Sequence, residues 1–378
     1  MQKVLIVTVP NDNHGRAVEW AANRMSGQPT DYFIAPYLPS VDMLSLSIFS
    51  DLSLESRFCL EGNSVGSISV DNKTSVWRRR VGSAIPHPDL DSRDSVACTF
   101  ETNTARDSSI ELASELGAFV ANRDSAAKSS RLKPIQLHAA KQVGFSVPDT
   151  LISNNPVSIR QFSAAHQHQI IVKSFTSPTW HGKGVCYAPF TRRVTNDLLD
   201  LDETLKACPA IYQKLCSKAY ELRVLVAGRS VLTCKLSSQL SEATALDWRV
   251  IPASQQFLEP YKLPLQVMEK CIAVAKKLGL VTASIDLAVT EQGEYIFFEA
   301  NEMGQFLWME EGCPEIPILQ MFTEFLLSGS DNFVFSSVLN PSISYSKYVA
   351  SGHFERSMSR ERNYSSYDDQ HVLGVYPE

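Results

Sequence analysis

Two short runs decide the fold: Ser284-Ile285-Asp286-Leu287-Ala288-Val289 and Ile296-Phe297-Phe298-Glu299-Ala300-Asn301, joined across Gln292-Gly293. Both have strand length and apolar character, and the glycine between them reads as a hairpin turn. A two-residue turn at Gln292-Gly293 sets Asp286 opposite Glu299; a bulged three-residue turn shifts that pairing by one. Asn301 lies two residues beyond Glu299 and so projects from the same face, whereas Ile285 and Leu287 point to the other. Like charges facing each other across a ladder repel. A bound cation removes that repulsion. Two carboxylates and one amide oxygen form a hard donor set suited to Mg²⁺, which commonly bridges to nucleotide phosphates. The plain alternative is a solvated acidic edge. The apolar neighbours Leu287, Ile296, Phe297 and Phe298 weigh against it.

Upstream, residues 222–227 and 230–236 form a second hairpin about Gly228-Arg229, after a strand at Ala210-Ile211-Tyr212-Gln213. Residues 264–278 read as an amphipathic helix closed by Gly279, and a last helix spans 315–327. Ile170-Ile171-Val172-Lys173 reads as a strand leading into a loop that ends at Gly182-Lys183-Gly184. Helices are expected at 106–116 and 131–143, then a strand at Thr150-Leu151-Ile152. Residues 4–9 form a first buried strand, followed by a helix from Arg16 to just before Gly27. Residues 31–100 read as mixed strands and loops; within them Trp77-Arg78-Arg79-Arg80 reads from composition as a strand end with a solvated basic cluster. Beyond 330 the chain is rich in Ser, Tyr and Arg.

The 378 residues are 44% hydrophobic, enough for two or three packed modules. A net charge of −6 argues against general nucleic-acid binding. The eight Cys residues form no Cys-x-x-Cys pair, a pattern of scattered reduced thiols expected of a cytoplasmic protein. No apolar run reaches the length of a membrane span, and the apolar N-terminal run is too short for a signal peptide. The chain has no phosphate loop of the Gly-x-x-x-x-Gly-Lys-Ser/Thr kind.

The segment from Ser284 to Gln305 resembles the metal-binding end of ATP-grasp ligases, and more narrowly the microviridin-type (graspetide) macrocyclases related to ribosomal-protein glutamate ligases. Four further segments agree in order. They are Val76-Trp77-Arg78-Arg79-Arg80; Leu132-Lys133-Pro134-Ile135-Gln136-Leu137 with Gly144 and Val147-Pro148-Asp149-Thr150; Ile211-Tyr212-Gln213-Lys214 with Tyr220-Glu221-Leu222-Arg223; and Asp247-Trp248-Arg249. The match covers about residues 1–328. The chain departs from it in three places: Arg78 stands where an aromatic residue is commoner, Glu302 where Pro is, and the tail after 330 has no counterpart in the pattern.

The resemblance implies an α/β protein of the ATP-grasp fold, with a nucleotide cleft between two α+β subdomains. It places an N-terminal domain at 1–115, a central subdomain at 116–210, a C-terminal subdomain with the metal site at 211–328, and an extension of unassigned role at 329–378. It implies ATP and Mg²⁺ as cofactors, and a precursor peptide with a leader as partner; a homodimer is compatible with it.

It gives Lys133 and Lys173 to the nucleotide phosphates, Gln213, Lys214 and Leu215 to adenine through the backbone, and Glu221 to ribose or to a basic neighbour. Arg223 and Arg249 would stabilise charge on the transferring phosphoryl and acyl groups. Asp286, Glu299 and Asn301 would hold metal. His166 and His168 read as exposed and His14 as part of a polar loop, while His181 sits in the glycine-containing loop that the resemblance places near the phosphates. The stretch from Gln239 to Pro264, with Phe257, Leu258 and Tyr261, is a candidate leader-docking region. Two other functions share this scaffold: a ligase for free amino acids or small metabolites, and a non-catalytic ATP-binding regulator.

Overall fold

Val4 to Val7 are buried on both faces, as a central strand of a parallel sheet must be. The computed structural model describes residues 2–37, 42–47, 57–62, 66–176, 180–182, 185–187, 190–240, 242–250, 257–336 and 338–361. In it Lys3–Thr8 pairs in parallel with Asp31–Ile34 on one side and with Thr74–Arg78 on the other. Phe119–Ala121 extends this sheet in parallel beyond Thr74–Arg78, so the sheet continues past the boundary expected at 115. The helix Asn13–Ser26 follows the first strand. Asp42–Ser47, Arg57–Gly62 and Gly66–Val70 form a separate antiparallel sheet.

The helix expected at 106–116 begins much earlier, running from Ser92 to Glu115. Asp91 caps it by accepting from the N–H groups of Arg93 and Asp94. Its first turns are largely exposed and carry no apolar stripe, so periodicity marks only the buried second half.

Two antiparallel sheets follow. The smaller has the order Arg192–Arg193, Ile170–Lys173, Ala210–Lys214, Thr150–Ser153. The larger has the order Leu258–Pro260, Ser230–Leu236, Tyr220–Ala227, Thr282–Val289, Tyr295–Asn301. The helix Leu265–Lys277 lays Val267, Cys271 and Val274 on one face of the larger sheet, against Leu222, Val224, Ile285 and Phe297. Leu225, Ala227 and Cys234 on the other face join a core with Ile6, Trp77 and the helix Ile318–Ser328. That helix is apolar almost all round because it lies between two sheets.

The turn at Gln292-Gly293 differs from the two-residue form. Thr290 and Glu294 close it, with Gly293 in the left-handed region at φ +81°, so three residues make the turn. Near the turn Leu287 therefore pairs with Phe297. A bulge between Asp286 and Leu287 then shifts the register by one and restores the pair Asp286–Glu299.

The extension folds back on the N-terminal domain. Tyr345–Ala350 and His353–Glu361 are helical and pack on Asn13–Ser26. Tyr345 and Tyr348 bond both ends of the Asn13 amide, at 2.9 and 2.8 Å. Glu310, 3% exposed, accepts the N–H groups of Leu319 and Tyr345, each at 2.7 Å. Glu310→Ala leaves two buried N–H groups unpaired, each a loss of roughly 1–3 kcal/mol. Denaturant titration should show that loss, and faster amide exchange at Tyr345 should accompany it. An unchanged midpoint would refute this account of the extension.

Candidate active site

The bulge that corrects the register also shapes the site. It leaves Phe298 unpaired between Phe297 and Glu299 in a strand that otherwise alternates. Lys173, from the smaller sheet, lies over the Phe298 ring at 5.0 Å, and Lys218 lies over it at 5.9 Å. Thus residues of both antiparallel sheets meet at one aromatic ring.

The paired carboxylates are each held by a cation. Glu299 Oε2 meets Lys133 Nζ at 2.5 Å, and Glu299 Oε1 accepts from Asn301 Nδ2 at 2.9 Å. Asp286 pairs with Arg223. Burial pushes the Glu299 carboxyl up, but Lys133 and the hydrogen bond from Asn301 outweigh it and hold the group down at about 2. Burial pulls Arg223 down to about 10 against the opposing pull of Glu299 and Glu221, so it stays cationic at neutral pH. Lys173 is also lowered by burial, with Glu299 opposing.

Arg223 stands over Trp248 at 4.6 Å, and Trp248 stacks on Trp308 at 5.1 Å. Arg249 grips Asp247 with two parallel bonds of 2.8 and 2.6 Å. Burial opposes the Asp247 charge, yet these bonds and the N–H of Thr191 keep its carboxyl far below the usual range. Arg249, Asp247, Glu299 and Lys218 all act electrostatically on Lys173. The structure therefore gathers Lys133, Lys173, Arg223, Arg249, Asp286, Glu299 and Asn301. Glu221 lies beside the same group, paired with Lys218 at 2.5 Å.

The adenine segment is placed differently. The N–H groups of Lys214 and Leu215 donate to Asp149 and Gln169, and the Gln213 side chain donates to Thr150. None of these three makes a described contact with the carboxylate pair.

The donor set fits a divalent cation by chemistry: two facing carboxylates and an amide, all oxygen-bearing, with compensating positive charge already drawn to them. Among the described residues no three His, Cys, Asp or Glu side chains cluster as metal ligands, so the amide of Asn301 is needed to complete the set.

Three sequence expectations change here. Trp77, Arg78 and Arg79 are buried rather than solvated; Arg79, 1% exposed, donates to the Met303 carbonyl at 2.5 Å and faces Asp12. Composition cannot reveal this, because the partners lie in distant segments. His14, read from the sequence as part of a polar loop, is half-buried in the helix Asn13–Ser26 and accepts the N–H groups of Phe306 and Leu307; desolvation and Arg79 push its pKa well below the ordinary value. In the candidate docking region, Leu258 packs into the core and Tyr261 bonds Tyr220 and Tyr295, while Phe257 is exposed. Residues 251–256, the side chain of His181, and Lys183-Gly184 lie outside what is described. Lys218 and Trp308 carried no signal in the sequence reading; a basic residue just beyond the hinge and a second aromatic near Trp248 are the only hints the chain offers.

No protein-family model and no curated protein matches the chain. Solved structures do. The macrocyclase MdnC from Microcystis aeruginosa MRC, bound with precursor peptide MdnA, is 29% identical, with a TM-score of 0.75 over 87% of this chain and 100% of its own. A RiPP-associated ATP-grasp ligase from Chryseobacterium gregarium, in complex with ADP and a leader and core peptide, is 27% identical. Its TM-score is 0.78 over 87% of this chain and 98% of its own. The ATP-grasp ligase PsnB, complexed with minimal precursor, Mg and ADP, is 22% identical, with a TM-score of 0.68 over 86% of this chain and 97% of its own, a likeness of fold. The described fold is the ATP-grasp fold.

The depressed Glu299 carboxyl gives a pH dependence. Its folded pKa lies below the ordinary 4.5, so the stability it contributes is full above 4.5 and is lost as pH falls toward about 2. Melting temperatures across that window should fall more steeply for the wild type than for Glu299→Gln. Parallel acid limbs for the two proteins would contradict the ion pair with Lys133.

Proposed function

We propose that this chain, an ADP-forming ligase of the ATP-grasp fold and graspetide type, closes side-chain ester or amide crosslinks in a ribosomally made precursor peptide. The observation that carries the reading is the facing pair Asp286–Glu299, set among Lys133, Lys173 and Arg223 where the two antiparallel sheets meet. A purely regulatory nucleotide site has no need of two opposed carboxylates plus two arginines.

In this reading Lys133 and Lys173 hold the nucleotide phosphates, and the segment Gln213-Lys214-Leu215 borders adenine. Asp286, Glu299 and Asn301 hold Mg²⁺, which when bound offsets charge on the phosphates. Lys133 and Arg223, which now neutralise these carboxylates, would then be released toward phosphate oxygens. A substrate carboxylate attacks the γ-phosphorus, ADP leaves, and an acyl phosphate forms. A hydroxyl or amine of the peptide then attacks the acyl carbon. Inorganic phosphate leaves with the bonding pair, and the nucleophile loses its proton. Each crosslink removes one water from the peptide.

Arg223 and Arg249 meet the charge that develops on oxygen in both steps. The Asp247 fork keeps Arg249 from turning away, and Trp248 does the same for Arg223. The exposed Phe257, at the edge of the larger sheet, offers an apolar contact for a helical leader. Among the described residues, no helix is long and apolar enough to cross a membrane.

Mass spectrometry of a candidate precursor with protein, ATP and Mg²⁺ should show successive losses of one water; ATP-dependent joining of free amino acids instead would favour the small-metabolite ligase. Asp286→Asn should abolish ADP formation without unfolding the protein, and normal turnover at saturating Mg²⁺ would refute the metal assignment. Arg249→Ala should cut product formation by about 10²-fold, or ~3 kcal/mol, with ATP affinity retained. Lost ATP affinity with normal saturated turnover would contradict its role. A core peptide without leader should react slowly and recover when leader is added in trans, whereas equal rates would exclude leader activation.

A further inference from the structure

The strand that carries Glu299 and Asn301 lies at the edge of the larger sheet, and among the described residues no strand pairs along its outer side. Unpaired edge groups must find other partners. At Phe297 the N–H donates to the Ser146 carbonyl at 2.9 Å. At Ala300 the partner is a side chain. Gln136 Oε1 accepts the Ala300 N–H at 3.1 Å, and Gln136 Nε2 donates to the Ala300 carbonyl at 2.8 Å. Nε2 also donates to the Ser130 carbonyl at 2.6 Å. Gln136 is 2% exposed, and its amide takes the place of a missing strand at one residue. That residue stands between Glu299 and Asn301.

A second amide closes the other side of Asn301. Asn122, 3% exposed, accepts the N–H groups of Val281 and Thr282 at 2.8 and 3.1 Å. Its Nδ2 donates to the carbonyls of Thr282 and Glu302, at 2.8 and 3.3 Å. Both acceptor directions and both donor hydrogens of this amide are used. It ties the start of one hairpin strand to the residue that follows the end of the other. Gly304 then turns the chain back onto Ser284, where an added Cβ would overlap the Ser284 side chain. Ser284 is the ladder partner of Asn301.

We propose that Gln136 and Asn122 are positioning residues that fix Glu299 and Asn301 as ligands of a divalent cation. The proposal rests on the metal reading above and deepens it. Both amides act on backbone atoms directly beside the ligands, so they set where the ligand side chains originate. Neither touches the nucleotide cluster. Gln136 also lies one helical turn from Lys133, so the helix Lys133–Gln142 holds a phosphate-binding lysine and the metal strand in one rigid piece. Groups that orient metal ligands commonly change metal affinity 10–100-fold when removed.

The test is Mn²⁺ binding in the presence of ADP, followed by paramagnetic resonance. Gln136→Met and Asn122→Leu keep side-chain volume but lose the bonds; each should weaken Mn²⁺ binding about 10–100-fold. ADP affinity without metal should be unchanged, and turnover should recover at saturating metal. Ile159→Ala, a fully buried site packed beneath the smaller sheet, supplies a comparison of general destabilisation and should keep its Mn²⁺ affinity. If Gln136→Met does not fold, Gln136→Glu keeps the Ala300 N–H acceptor while removing both donors. Wild-type affinity in the variants, or an equal loss in Ile159→Ala, would overturn this inference alone. A wild-type protein that binds no Mn²⁺ with ADP would overturn the functional reading and this inference with it.

Discussion

Asp286 and Glu299 face each other across two hydrogen-bonded strands, and that repulsion governs the arrangement around them. Each carboxylate draws one cation from outside the hairpin's two strands: Lys133 from a helix on the outer side, Arg223 from the neighbouring strand. Stripping either cation away would leave a charge with little solvent to screen it, a costly state. The same attraction therefore binds the helix Lys133–Gln142 to the sheet edge and keeps Arg223 against Trp248. A nucleotide with its metal ion could take over this compensation, which links occupancy of the cleft to the positions of both basic groups.

The two residues that depart from the pattern the chain otherwise resembles are each matched by a charge. Arg78 pairs with Asp124, which also takes Lys128 at 2.6 Å. Glu302 pairs with Arg131 at 2.5 Å. Arg78 and Arg131 repel, while Glu302 pulls on Arg79. The two departures thus sit in one charged seam between the parallel sheet and the loop after Asn301. An aromatic residue at 78 would leave Asp124 with Lys128 alone, and a proline at 302 would take from Arg131 its carboxylate partner.

How much of this the sequence showed depends on how local each signal is. The strands Thr282–Val289 and Tyr295–Asn301 were legible because apolar runs and a glycine turn lie within twenty or so residues of each other. The pairing of Asp286 with Glu299 was reached by a simple turn, whereas the chain reaches it through a longer turn and a compensating bulge. The first half of the helix Ser92–Glu115 was hidden because solvent-facing turns need no apolar stripe. Gln136 and Asn122 were hidden for another reason. Their partners beside the carboxylate strand are backbone groups more than a hundred residues away, and an amide that bonds to backbone imposes no requirement on the side chains there. The buried Arg79 is the same case, since it reaches Met303 through a carbonyl.

Asn122, Arg79 and His14 tie the parallel sheet and its first helix to the larger antiparallel sheet and the segment that follows its last strand, and the returning C-terminal helices pack on that first helix. The strands of the smaller sheet pack chiefly on one another and on the short helices beside them. In mechanical terms the molecule is one heavy anvil and one light jaw. The facing carboxylates and Arg223 belong to the anvil and Lys173 to the jaw, so in the proposed reading any displacement of the jaw would carry this lysine with it. The Phe298 ring is where jaw and anvil touch, so the bulge that frees Phe298 from the ladder also provides the seat for that lysine.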